Sequence, residues 1–159
     1  KLKWDEINLN KKQMIKVGSK TKNNKAHTTH LSAPALQTLL LIKKTEHDLI
    51  FTTTGTTPVS GFSKMKKQLD VILGDEFKPW RLSDFRTAMA TALAENGEAE
   101  TIVDRILNHS ASGSAPSAVA RVYNQAENLT QRAAALETWG RMVTAECPSL
   151  NELGEYQDE

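Results

Sequence analysis

A chain of 159 residues with 39% hydrophobic and 25% charged residues has the size and balance of one ordinary globular domain, large enough to bury a core without staples. No apolar run approaches the roughly 18 residues that a membrane-spanning helix requires, and the single cysteine, Cys147, excludes an internal disulfide and a thiolate cluster for zinc. The net charge of +1 conceals an asymmetry: residues 1–67 hold 13 lysines and 4 acids, net +9, whereas residues 68–159 hold 7 Lys/Arg and 15 acids, net −8. A Lys-rich half is either a solvated face or a surface that meets a phosphate backbone, and charge alone does not choose between them. The lone thiol suits a reducing cytoplasm. The first residue is Lys1 rather than Met, and the opening KLKWDEINL lacks the apolar stretch of a signal peptide, so the chain is expected to begin inside a longer protein.

Between Trp4 and Ser32 the apolar residues are sparse and roughly alternating, with the turn material NLNKK and GSKTKNNK between them. This pattern predicts a small antiparallel sheet of two or three strands near the N-terminus. Ser32 followed by Pro34 marks a helix start, continued by Leu36, Leu39 and Leu40. A short apolar piece at 49–51 leads into the loop TTTGTTPVSG. Phe62, Met65, Leu69, Ile72 and Leu73 then fall at steps of three and four in a second helix ending at Gly74. After FKPW, Ser83 or Asp84 is expected to cap a third helix that carries Phe85, Met89 and Leu93, stops at Gly97, and presents Arg86 in its first turn. A fourth segment holds Ile102, Val103, Ile106 and Leu107 and closes at Asn108 and His109. Beyond the small-residue stretch SASGSAPS a short helix is expected at 118–124. A last amphipathic helix at 130–143, with Ala134, Leu136 and Trp139 on its apolar face, precedes an acidic tail. The expected class is mainly α with one small sheet, as residues 1–145 plus a tail, 146–159.

Four pieces occur in order: TKNNKAHTTHLS, WRLSDFRTAMAT, DRILNHSASG and ARVYNQ. Together with WDEI, FTTTGTTPVSGFSK and ALETWGRMV, they resemble the catalytic domain of the tyrosine recombinase, or phage integrase, family. Each piece is weak by itself; their order and separations make the resemblance specific. It implies the tyrosine recombinase catalytic-domain fold and DNA strand cleavage without metal, cofactor or ATP. A tyrosine attacks the phosphodiester to give a 3′-phosphotyrosyl link, and a partner strand's 5′-hydroxyl reverses the step. Such chemistry needs guanidinium groups to neutralise the phosphate oxygens, a proton donor for the leaving 5′-oxygen, and activation of a phenol whose ordinary pKa is about 10.

By this resemblance Tyr123 in ARVYNQ matches the nucleophile, Arg86 in LSDFR the second of the family's two arginines, and His109 in ILNH a phosphate-bonding position. Lys22, in the turn between the second and third strands, matches the general acid, with Lys20 and Lys25 close enough to exchange roles with it. Outside these motifs each has an ordinary reading: a packed aromatic, a solvated arginine at a helix start, a histidine favoured by a helix C-terminus, a surface lysine. By the same resemblance His27 is a strand residue open to phosphate contact and His30 stands in place of a proline, with structural roles favoured for both. Ser83 departs from the family's usual histidine; its hydroxyl can bond a phosphate but is no base near neutral pH. No arginine precedes Arg81, so the family's first arginine is missing, and the chain alone is expected to be poorly active.

The implied partners are double-stranded DNA attachment sites, a homotetramer with a C-terminal segment exchanged between neighbours, and an accessory directionality factor, in a bacterial cytoplasm at the nucleoid. Three rival readings are a DNA-binding relative that no longer cleaves, a type IB topoisomerase, and an unrelated helical domain with a basic face. TTTGTTP lacks the lysine and spacing of a P-loop.

Overall fold

The computed structural model describes residues 1–20, 26–108, 127–145 and 147. Alternation near the N-terminus yields three short strands, β1 (Ile7–Asn8), β2 (Gln13–Lys16) and β3 (His27–His30), in the order β1-β2-β3. Both pairings are antiparallel, and Lys16 faces His27 at one end of the β2/β3 ladder while Gln13 faces His30 at the other. A 3-10 turn at Trp4–Glu6 precedes the sheet. Lys16 ties the two together by donating its ammonium to Glu6, 2.7 Å away, on a carboxylate that is buried.

Five α-helices follow among the described residues: α1 (Ala33–Leu40), α2 (Phe62–Leu73), α3 (Asp84–Glu95), α4 (Glu100–Ile106) and α5 (Leu129–Thr144). The fold is therefore mainly helical with a small sheet near the N-terminus, as the periodicity predicts. The residue after α2, Gly74, stands at φ +75°, a conformation that glycine adopts without penalty and that turns the chain out of the helix.

Among the described residues two apolar clusters hold the sheet, α1, α3, α4 and α5. Leu31, Leu36, Leu39 and Ile50 gather under the sheet and α1, with Trp4, Ile7 and Met14 packed against them. Leu93, Ile102, Val103, Ile106, Leu107 and Ala135 form the second where α3, α4 and α5 meet. Helix α5 also lies along β3 and α1, so it joins the two clusters. Its buried face includes Ala135 and Gly140, and Ala134 is exposed, one position off the expected stripe. The shift arises because α5 must pack on two sides at once, and close contact with α1 selects the phase. A Cβ on Gly140 would lie 2.9 Å from Ser32 Oγ and 3.2 Å from Pro34 Cδ, so hydrogen there lets the helices approach.

The α1 start is completed from α5. Ser32 occupies the N-cap position without a side-chain capping bond, and Pro34 has no N–H to satisfy. Glu137 supplies the acceptor: its Oε2 takes the Ala33 N–H at 3.0 Å and its Oε1 the His30 ring N–H at 2.7 Å. The N-terminal end of a helix favours a negative charge at this place.

Candidate active site around Arg86

Helix α3 opens with Ser83 at its N-cap position, but not as the expected cap. Ser83 has helical angles (φ −65°, ψ −22°) and makes no capping side-chain bond, because a capping oxygen returns to the helix only from an extended backbone. Asp84 instead accepts the Arg81 N–H at 2.8 Å. The Ser83 side chain is exposed, one turn before Arg86.

Arg86 is likewise exposed, and its Nη2 donates to the carbonyl of Leu107, the C-cap residue of α4. The final carbonyls of a helix lack intrahelical donors and carry the negative end of its dipole, so they attract cations. The preceding carbonyl, that of Ile106, accepts a hydrogen bond from the His27 ring at the start of β3. Two consecutive carbonyls at one helix end thus hold a guanidinium from α3 and an imidazole from the sheet.

Behind them lies Arg132 of α5, only 5% exposed. Its Nη2 donates to the Thr28 carbonyl and its Nη1 to the Glu127 carbonyl at 3.4 Å, and Nε has no partner among the described residues. Burial draws its pKa below the ordinary value, Glu127 opposes this, and Arg105 adds to it; a guanidinium still stays charged at neutral pH. For His27, burial is the largest influence and lowers the pKa from 6.5. Arg132 lowers it further, and the Ile106 carbonyl and Glu127 offset part of the effect. The ring is therefore neutral near pH 7.

Of the residues singled out by motif, Arg86 and Ser83 lie within the described structure, one turn apart at the start of α3. Lys22, His109 and Tyr123 lie outside the described residues, as do Lys25, the helix expected at 118–124 and the acidic tail. Arg86 is bonded to a residue two positions before His109 in sequence. Arg132 was not legible as part of the site; its one signal was a charge three residues before Ala135 on an otherwise apolar helix face. His30, bonded to Glu137, serves packing between β3, α1 and α5.

Among the described residues no group of three His, Cys, Asp or Glu side chains is placed to hold a metal ion, and no helix is long and apolar enough to cross a membrane. A shallow depression lined by Asp5, Glu6 and Ile15 is acidic and ill suited to a phosphate.

Comparison with curated proteins and with solved structures returned no match. The model of the phage integrase family matches residues 1–128, from the turn before the sheet to the residue before α5. That span contains Ser83, Arg86 and every motif that carries the resemblance except ALETWGRMV. The chain belongs to the phage integrase family, a family of tyrosine recombinases.

Proposed function

We propose that this chain is the catalytic part of a site-specific DNA recombinase, which integrates or excises a mobile element through a 3′-phosphotyrosyl intermediate and is slow as this chain alone because the family's first arginine is missing. Tyr123 is the nucleophile. Arg86 clamps the scissile phosphate with His109, Ser83 adds a hydroxyl donor, and Lys22 protonates the leaving 5′-oxygen. Residues 1–145 form the catalytic unit, followed by the tail 146–159, and residues 144–159 are the segment exchanged within a tetramer on two attachment sites. The observation that supports this best is the setting of Arg86: exposed, in the first turn of α3, and anchored on the end of α4 just before His109 in sequence. A guanidinium held by a neutral carbonyl keeps its full charge and further N–H groups for a phosphate. The lysines of residues 1–67 supply backbone contacts to the DNA.

The test uses a pool of random-sequence duplexes with 5′-bridging phosphorothiolate linkages, whose thiolate leaving group departs without a proton donor. The chain is expected to form a denaturation-resistant adduct that peptide mapping places on Tyr123, absent in Tyr123→Phe and at least tenfold slower in Arg86→Ala. Lys22→Ala should retain the reaction on phosphorothiolate and lose it on ordinary phosphate. An adduct on another residue, or none from the unaltered chain, refutes the reading. Relaxation of a supercoiled plasmid by the chain alone would favour a topoisomerase.

A further inference from the structure

We propose that His27 is the proton acceptor for the attacking hydroxyl in this site, a role that rests on the strand-cleavage reading above and that Ser83 cannot perform. A phenol that attacks phosphorus must lose its proton, and a serine hydroxyl does not take one up near neutral pH. Among the described side chains that meet the end of α4 beside Arg86, His27 is the one whose ring nitrogen takes up a proton near neutral pH.

The His27 ring and the Arg86 guanidinium end on the carbonyls of Ile106 and Leu107, adjacent residues whose Cα atoms lie about 3.8 Å apart across a trans peptide. A phosphate drawn to Arg86 therefore arrives beside His27. A neutral imidazole has one N–H and one lone pair. The Ile106 carbonyl takes the N–H, which leaves the opposite nitrogen as an oriented acceptor.

The surrounding charges complete the case. From α5, Arg132 faces the ring while its bond to the Thr28 carbonyl holds the next residue of β3 in place. Glu127, ahead of α5, faces it as an anion, α4 contributes the Ile106 carbonyl, and Arg105 of α4 acts on Arg132. Burial and Arg132 keep the resting ring unprotonated; Ile106 and Glu127 favour the imidazolium once it forms. In the forward step the phenol O–H breaks and its proton passes to His27, the phenolate oxygen bonds phosphorus, the bond to the 5′-oxygen breaks, and that oxygen takes a proton from the general acid. In the reverse step the imidazolium returns its proton to the departing tyrosine oxygen.

Two measurements on the whole chain test this. In an NMR titration the His27 ring should change protonation below pH 6.5, and in Arg132→Met its midpoint should rise; a midpoint at or above the ordinary value overturns the proposal. On the phosphorothiolate pool, the adduct rate of the unaltered chain should rise with pH and level off above the His27 midpoint. His27→Gln, which keeps a hydrogen-bonding amide but no base, should lose about 10²–10⁴-fold at pH 7 and regain rate steadily as pH climbs toward the tyrosine range. A variant that keeps the plateau, or one that loses the same factor at every pH, assigns His27 a merely structural part and overturns the proposal. Failure of the unaltered chain to form any adduct removes the cleavage reading itself, and this role with it, whatever the titration shows.

Discussion

Replacing Glu137 tests how α5 fastens the sheet to α1. The carboxylate receives the His30 ring N–H at 2.7 Å and the Ala33 N–H at 3.0 Å, with its side chain 29% exposed. Hydrogen bonds to a charged group contribute about 1.5–3 kcal/mol each. Partial exposure lets water replace some of that, so Glu137→Ala should cost about 2 kcal/mol in total. For a domain of this size that is a fall of about 4–8 °C in Tm. Urea denaturation followed by tryptophan fluorescence measures it directly. The pH dependence carries a sign. Burial would raise the Glu137 pKa, but the bonds from His30 and Ala33, with the charges of His30 and Lys12, outweigh it and hold the carboxyl below its ordinary 4.5. Its contribution is therefore complete above the unfolded value of 4.5 and is lost as pH falls through the lower folded value. Glu137→Gln should accordingly trail the unaltered chain by about 1 kcal/mol at pH 7, with the gap closing on acidification. The acid-side loss from His27 is common to both proteins and cancels in the difference. A cost below about 0.5 kcal/mol for Glu137→Ala, or a Gln gap that is constant with pH, refutes the account.

Leu93 is fully buried among Ile102, Val103 and Ala135, so Leu93→Ala should cost about 2–5 kcal/mol, read from the same urea transition. Gly140→Ala gains about 1 kcal/mol of helix propensity but drives a methyl against Ser32 and Pro34. Calorimetry should show net destabilisation of about 1–2 kcal/mol, and an unchanged or raised Tm would disprove the tight α1/α5 approach. Val71 and Ile72 are 83% and 80% exposed; lysine at both should leave stability within about 0.5 kcal/mol, again by urea denaturation. DNA affinity should fall steeply with salt if the Lys-rich half meets the backbone, and a near-flat plot of log Kd against log salt would exclude it.

The elements were legible because each writes a period into the chain: alternation for β1 to β3, steps of three and four for α1 to α5, and Gly74 and Gly97 as stops. What pairs across long separations leaves no such trace. Arg132 and Thr28, or Glu137 and His30, lie more than a hundred residues apart, and nothing local announces that a charge on the apolar face of α5 ends on a strand carbonyl. Ser83 misled in a simpler way, since its residue type suits a cap and only its backbone angles deny it. Arg86 was legible from LSDFR and a helix start, but its anchor on Leu107 was not. Lys22, His109 and Tyr123 continue to rest on their motifs.

Helix α2 buries none of its residues, and its described ties to neighbouring structure include the Lys66 ammonium 4.7 Å from the Trp80 ring. Trp80 in turn meets Phe85 edge to face at 5.5 Å, beside Arg86 on α3. A helix so lightly held opens at a small fraction of the free energy that unfolds the core. Its amides should exchange with deuterium early, while those around Leu93 persist, and trypsin should cut at Lys64, Lys66 or Lys67 in chains that are otherwise folded. DNA that orders the start of α3 would slow both processes at a distance from the phosphate, so protection of α2 becomes a reporter of occupancy at Arg86.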